Sequence, residues 1–477
     1  MGAQNGTGNG EVRDTLILGQ TSQGTEIHAS LLRLTRYGVS FEIYNPGMVL
    51  RTSEVLHDFK ILLNGSSVYA GRAVIRNLVN TGSVLVCEAT LDDSWLEKNA
   101  LARNGHGDKG SFAEFLEQWQ KIYRVRPEFK VVVADMQAFL TELRMWLEKM
   151  ELEIRSAPAG DRSDIERNMA NDLGRSTTPV LTRLFEKLEN VLEGVEKELQ
   201  PVHQTFGKRQ LHPMLLCSPF LYRTFSKPLG YAGDYEMVNM MMRDPLEGGS
   251  LYSKIVNLWF LQQPPAEAHR NRINYLVQQI SESAMRAQRA HQTARILSVG
   301  CGPAHEVQRF LRDSHLANHA SFTLLDFNAE TLTHAQTVLE NIRGRNQLHT
   351  ELKFVKKSVH HILKETGRRV ERSAADGYDL IYCAGLFDYL TDSVCRKLTS
   401  IFYDWLAPGG LLITTNVHAS NPRRLTMDYI MEWHLNYRNT AEFEALKPDA
   451  ASDDLCITKS DETGVNIYFE TRRPIGA

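Results

Sequence analysis

The sequence predicts an α/β protein: a seven-stranded, mostly parallel sheet covered by helices, preceded by a helical region and a small antiparallel β-barrel. Three observations carry this. From Arg295 onward, short apolar strands alternate with helical stretches. Before that, long segments place apolar residues at helical spacing, and earlier still residues 26 to 90 read as short strands broken by turn residues. The expected boundaries are 1–105 for the barrel, 106–290 for a helical linker and lid region, and 291–477 for the sheet domain. A chain of 477 residues exceeds what one hydrophobic core supports, so several domains are expected.

In the first part, IHASLLRL, VSFEIY, DFKILL, SSVYAGRAVIRNLV and SVLVCEATL are the strands. Asn45-Pro46-Gly47, Asn64-Gly65 and Asn80-Thr81-Gly82 supply the turns. The period then changes: SFAEFLEQWQKIY, FKVVVADMQAFLTELRMWLEKMELEI and VLTRLFEKLENVLEGVEKEL read as helices. SAPAGDRSDIERNMANDLGRST, rich in Gly, Ser and Asp, reads as a connection with a short helix. Helical patterns resume from Gln204 to Ala290, interrupted by SKPLGYAGDYE and QQPPAEA. The sheet strands are RILSVG, SFTLLDF, ELKFVKKS, YDLIYCA, GGLLITTNV, LCITKSD and VNIYFET. Only the turn Glu462-Thr463-Gly464 separates the last two, so that end of the sheet is expected to be antiparallel.

Composition narrows the function. With 42% hydrophobic and 23% charged residues the chain has an ordinary globular balance, and a formal net charge of -3 does not favour a nucleic-acid backbone. The six cysteines form no CxxC pair, so reduced thiols without a metal are expected. No apolar run reaches the ~18 residues a membrane helix needs, and MGAQNGTGNG has neither the basic start nor the apolar stretch of a secretion signal. A cytoplasmic protein without an integral membrane segment is expected.

The chemistry begins in RILSVGCGPAHEVQRFL, where a strand runs into Gly300, Cys301 and Gly302 and then a helix with Glu306 in its first turn. Glycines let the backbone approach a ligand, and a helix N-terminus meets an anionic group. Asp326 ends the next strand, where an acidic residue grips ribose hydroxyls in nucleotide-binding sheets. A dinucleotide motif would need a third glycine where His305 stands. The glycine turn, the downstream acid, DLIYCAGLFDYL and LAPGGLLITTNV together resemble class I S-adenosylmethionine-dependent methyltransferases, whose catalytic domain is Rossmann-like. The resemblance implies that Gly300 and Gly302 border the methionine moiety of S-adenosylmethionine and that Asp326 holds the ribose. It also implies that Ser358 and Val359 flank the adenine, although most members have an acidic residue where Ser358 stands. Ala384 and Gly385 then lie where donor faces acceptor.

Asp388 and Tyr389 follow the fourth strand, and Asn416, His418 and Asn421 follow the fifth, all placed to face a substrate. His418 can take a proton near neutral pH or sit on a surface loop. MDYIMEWHLNYRN reads as a helix in which Trp433 and Tyr437 share a core face. Arg438 in it suits two-point binding of a carboxylate, or a surface ion pair. In FSKPLGYAGDYEMVN, Gly230 and Gly233 permit a tight corner that projects Tyr231, Asp234 and Tyr235 as a lid over the cofactor cleft, or that makes Asp234 a helix cap. GYAGD before the GCGP turn, with the later EWxLxYR, is similar to bacterial methyltransferases assigned to biosynthesis of 3-hydroxypalmitic acid methyl ester. That resemblance implies a lid role for Tyr231 and Asp234 and suggests a small or fatty-acyl acceptor methylated on a carboxylate oxygen; on the residues themselves, Tyr231, His418 and Arg438 are the candidates at the acceptor and Asp234 at the cofactor. The alternatives are N-methylation of a small amine in a pocket supplied by Asp234 and Tyr235, and a ligand-sensing regulatory protein whose methyltransferase domain merely holds cofactor.

The strands around RYGVSFEIYNPGMVL resemble PilZ domains, small barrels that bind cyclic di-GMP. That family's D/NxSxxG and RxxxR motifs are missing, because Arg33 and Arg36 fall in the expected first strand and no arginine pair precedes it. A docking or dimerising barrel is the expectation, with self-association through it or through the helices.

Overall fold

The structure is a computed structural model that describes residues 15–35, 37–44, 48–63, 66–80, 84–91, 124–365 and 377–475. It divides into two units, one of Met1–Pro46 with Glu54–Leu116 and the other of Gly47–Ser53 with Glu117–Ala477. The short segment between the third and fourth strands thus belongs with the helices and the large sheet.

The first unit is a closed antiparallel barrel in the order β1-β2-β3-β6-β5-β4. Its strands are β1 Thr15–Gln20, β2 Glu26–Thr35, β3 Gly38–Ile43, β4 Val55–Leu63, β5 Ser66–Asn80 and β6 Leu85–Leu91. Inward positions alternate along the strands: Ile27 and Ala29 in β2, Val39, Phe41 and Ile43 in β3 are buried. Phe41 and Tyr69 both pack on Phe59, at ring separations of 5.8 and 6.1 Å. Strand β1 was not expected. TLIL shows no alternation, but Ile17 is fully buried and β1 closes the barrel by pairing with both β2 and β4.

In the second unit, helices α1 Pro127–Ser156, α2 Arg162–Leu192, α3 Gln200–Leu215, α4 Pro219–Ser226, α5 Tyr235–Met242, α6 Leu251–Leu261 and α7 Pro264–Arg289 precede the sheet. The helix expected in SFAEFLEQWQKIY lies outside the described residues. Helix α1 starts with proline at its first turn, which fits the fixed φ of that residue, and buries Phe129, Val133, Met136 and Leu140 on one face. Most of the expected polar connection is helix: α2 begins at Arg162 and runs through Pro179. Its small residues serve packing, since a Cβ on Gly174 would come within 2.6 Å of Leu258 Cδ2 on α6. Phe185 of α2 stacks on Trp259 of α6 at 4.1 Å.

The sheet follows as β7 Ala294–Val299, α8 His305–Asp313, β8 Ala320–Asp326, α9 Ala329–Arg345, β9 Leu352–Lys356, α10 Val359–Glu365, β10 Tyr378–Cys383, α11 Asp392–Asp404, β11 Leu406–Val417, α12 Arg424–Tyr429, α13 Thr440–Glu444, β12 Cys456–Ser460 and β13 Asn466–Arg472. The order is β12-β13-β11-β10-β7-β8-β9. Strands β7 to β11 run parallel, and β13 pairs antiparallel with both β11 and β12, as the missing helix between the last two strands predicts. Central β7 and β10 are buried nearly throughout because helices cover both faces.

The helical layer is continuous with the end of the sheet domain. Met427, Tyr429, Ile430 and Met431 share one apolar cluster with Phe129, Phe185, Leu211 and Trp259. MDYIMEWHLNYRN is not the expected helix: α12 stops at Tyr429, Glu432 takes φ +50°, and Arg438 bridges to His418 in extended conformation. Burial of both Met431 and Trp433 in an irregular segment, rather than a helical face, explains its density of large apolar residues. Helix α12 is held at its start by Glu189 of α2, whose carboxylate accepts from Leu425 N (2.9 Å), Thr426 N (2.7 Å) and Thr426 Oγ1 (2.6 Å). Glu189→Ala will leave three donors without this acceptor and lower the free energy of unfolding by about 1–3 kcal/mol, read from the denaturant midpoint. An unchanged midpoint would show that these bonds do not couple α2 to α12.

Candidate active site

The strand order reverses direction between β7 and β10: the chain goes outward through β8 and β9 on one side and through β11 on the other. Such a switch point opens a crevice beyond the carboxyl ends of the strands. In the second unit a cavity lies there, lined by the turn after β7, the ends of β8 and β10, one side of α7, and the corner before α5.

The turn after β7 is built for close approach. Gly300 and Gly302 take φ of +68° and +53°, the left-handed region that glycine enters without strain. Gly300 N and Cys301 N both donate to Leu325 O, at 2.8 and 3.0 Å, which ties the turn to the end of β8. A Cβ on Gly302 would meet nothing within 4 Å, and one on Gly300 only Leu386 at 3.6 Å, so the backbone faces open space. Asp326, buried at the end of β8, accepts from Gly302 N (3.2 Å) and Asn328 N (3.0 Å). Burial pushes its carboxyl up, and these two bonds with the charge of Arg51 oppose that. A concave backbone turn beside a buried carboxylate fits the methionine and ribose parts of S-adenosylmethionine. Val359 and Ile362 line the cavity as an apolar wall suited to an adenine. Ser358 is not among the lining residues; its hydroxyl pairs with His361 Nδ1 at 2.8 Å.

Ala384 and Gly385 line the far side. Arg272 of α7 lies against them: a Cβ on Gly385 would be 3.2 Å from both terminal guanidinium nitrogens, and Gly385 itself has φ +89°. Arg272 is buried and its Nη2 lies 2.8 Å from His269 Nδ1. Its charge acts against burial at Asp388, whose carboxyl is nonetheless pushed up to about 6. Asp388 Oδ1 accepts from Val417 N at 2.7 Å, and Tyr389 Oη accepts from Trp433 Nε1 at 2.9 Å. Met237, Met241, Met427, Trp433 and Leu435 add apolar walls to this end.

The GYAGD corner is as tight as its glycines imply, with φ of +80° at Gly230 and +76° at Gly233. Any Cβ on Gly233 would collide with the hydroxyl of Tyr389, so the corner sits directly on the residue after Asp388. Tyr231 lines the cavity with its ring 5.0 Å from Phe327. Asp234 does not line it: the side chain caps α5 through Met237 N (2.9 Å) and pairs with Arg223 Nε at 2.8 Å. Tyr235 lines the cavity and donates to Glu330 Oε1 at 2.8 Å. Asn239 of α5 reaches His305 of α8 at 2.9 Å, and burial takes the His305 imidazole down to about 4.

Of the residues expected at the acceptor, Tyr231, Asp388 and Tyr389 come together in the cavity, while His418, Asn416, Asn421 and Arg438 do not. His418 Nδ1 pairs with Ser420 Oγ at the surface. Arg438 is buried and is not among the lining residues; it bonds Asp392, Asn416 and the carbonyls of Phe387 and Leu390, so it braces the loop after β10. Sequence reasoning missed Arg272, which hides in the charged stretch AEAHRNRINYL where arginines read as a solvated face. It also missed Arg51 and Thr52, which line the cavity from the segment between β3 and β4. Among the described residues no group of three or more His, Cys, Asp or Glu is placed to hold a metal ion.

No curated protein matches the chain in sequence. Among solved structures, a Bordetella parapertussis protein described as a possible exported protein is 17% identical, covering 63% of this chain and 97% of its own, with a TM-score of 0.39. Magnesium protoporphyrin IX methyltransferase from Synechocystis PCC 6803, with bound S-adenosylhomocysteine, is 11% identical over 43% of this chain and 84% of its own, at a TM-score of 0.31. The N-methyltransferase NodS from Bradyrhizobium japonicum WM9, also with S-adenosylhomocysteine, is 16% identical over 50% of this chain and 98% of its own, at 0.30. In sequence, residues 296–410 match the family described as "Methyltransferase domain". The match runs from β7 into β11 and includes Gly300, Gly302, Asp326 and Gly385, the residues that shape the cavity. Residues 296–410 are a class I methyltransferase domain, and the chain is an enzyme whose methyl donor is S-adenosylmethionine.

Proposed function

We propose that the enzyme methylates a carboxylate oxygen of a small acceptor with an acyl or other apolar body. The observation that carries this reading is Arg272, a buried guanidinium against Gly385 at one end of a cavity otherwise walled by methionines, Trp433 and Leu435. S-adenosylmethionine supplies an electrophilic methyl group on a sulfonium, which a correctly aligned oxygen displaces in line. The protein's task is alignment and exclusion of water. Gly300 and Gly302 leave room for the methionine part, Asp326 accepts from the ribose hydroxyls, and Val359 covers the adenine. Arg272 holds the acceptor carboxylate in two-point geometry, and Tyr231 and Tyr389 close the cavity between the two ligands. A carboxylate needs no base, so the absence of His418 from the cavity lining removes nothing the reaction requires. An acyl acceptor of this kind accords with the resemblance to enzymes of 3-hydroxypalmitic acid methyl ester biosynthesis.

Asp388 favours a second reading, N-methylation of a small amine, because a buried carboxylate beside two aromatics attracts an ammonium and accepts its proton. pH separates the two. Below about 6 the Asp388 carboxyl is protonated and tolerates an incoming carboxylate; above it the like charges repel. For a carboxylate acceptor KM will therefore rise as pH increases through 6, whereas for an amine KM will fall. The barrel is proposed to be a PilZ-like docking or dimerising module, on the resemblance of its sequence and its closed six-stranded form. A cytoplasmic setting accords with six cysteines that are all free thiols.

Two substitutions check the cavity. Asp326→Ala will weaken S-adenosylhomocysteine binding by about 1–3 kcal/mol in calorimetric titration, the loss of a charge-assisted bond; unchanged affinity would take Asp326 out of the cofactor site. Arg272→Met will raise KM for the acceptor roughly tenfold and leave S-adenosylhomocysteine affinity unchanged. The reverse pattern would assign Arg272 to the methionine carboxylate.

A further inference from the structure

Residues 48–53 stand between β3 and β4 in sequence and belong with the second unit. Their attachment there is specific. Ser53, fully buried at φ +62°, donates through Oγ to His434 O at 2.9 Å and accepts from His434 N. Thr52 N donates to Tyr389 O at 3.3 Å. Arg51, 4% exposed, lays its guanidinium 3.8 Å from the ring centre of Phe327 and 5.9 Å from that of Tyr231. Both Arg51 and Thr52 line the cavity.

We propose that Arg51, stacked on Phe327 beside Asp326 in the cavity wall, is a positioning residue of the cofactor site, its fixed cation balancing the carboxylate that accepts the ribose hydroxyls. The inference rests on the reading that Asp326 holds the ribose. A residue so far from the catalytic domain in sequence then completes its binding site. A carboxylate buried at the end of β8 tends toward its neutral form, and a neutral carboxyl has one acceptor fewer for a diol. Around it, Tyr231 from the corner before α5 and Cys301 from the turn after β7 are neutral near pH 7 and contribute no cation. The amides of Gly302 and Asn328 contribute only dipoles. Lys357, whose amide donates to Asp326 O at 2.9 Å, lines the cavity as well, yet the flat guanidinium of Arg51 is the cation fixed by stacking on Phe327, the residue next to Asp326.

The test is calorimetric titration of the full chain with S-adenosylhomocysteine from pH 5 to 8, for wild type, Arg51→Met, Arg51→Gln and Arg51→Lys. Wild-type affinity will fall on the acid side as Asp326 protonates. In both neutral variants that fall will come at higher pH, and at pH 6.5 affinity will be about tenfold lower. Arg51→Lys, which returns the charge without the stacked plane, will recover part of the acid limb. Should Arg51→Met unfold, the polar Arg51→Gln gives the same readout. Neutral variants whose pH profile superimposes on wild type would overturn the inference. If the wild type itself binds no S-adenosylhomocysteine, the cofactor reading falls and this inference with it.

Discussion

A buried carboxylate at the end of β8 organises the catalytic unit. Asp326 takes one bond from Gly302, in the turn after β7, and one from Asn328, at the start of α9. Removing a charge from water is unfavourable unless partners surround it, and here they come from separate parts of the chain. The glycine turn is pinned to the same strand end through Leu325 O. Phe327, next to Asp326, receives the ring of Tyr231 on one hand and the guanidinium of Arg51 on the other. This end of the cavity is thus a polar centre with an aromatic rim.

From that centre the enclosure spreads to the helical layer. The GYAGD corner rests on Tyr389, Tyr389 on Trp433, and α12, which leads into the segment around Trp433, on α2 through Glu189. Helices α1 to α6 share their apolar core with residues 427–433. The helical region therefore contributes a wall of the cavity. This organisation explains why Arg438, attractive on paper as a carboxylate clamp, is occupied instead in fastening the loop after β10 against β11.

The sheet and its glycine turn were legible because their signals are local: strand, GCG turn, helix and Asp326 follow one another within some thirty residues. The antiparallel end was equally plain from the short turn before Asn466. Signals failed where tertiary packing overrode local pattern. The first half of α2 was read as a connection with a short helix because Gly174 and Ser176 are poor helix formers, and packing against Leu258 of α6 accounts for Gly174. MDYIMEWHLNYRN carried a helical spacing of large residues that fill the core partly from the end of α12 and partly from the irregular segment after it. Arg272 and Arg51 were beyond reach, since nothing in a lone arginine tells that a folded partner will bury it beside a glycine or a phenylalanine.

Three segments remote in sequence, the glycine turn, the GYAGD corner and the strap around Arg51, line one cavity and are proposed to enclose one cofactor. Hydrogen exchange on the full chain, with and without S-adenosylhomocysteine, tests this enclosure most directly. The account predicts slower exchange on binding in all three, in peptides spanning 48–53, 230–242 and 300–306. Protection confined to 300–306, with the other two unchanged, would contradict it.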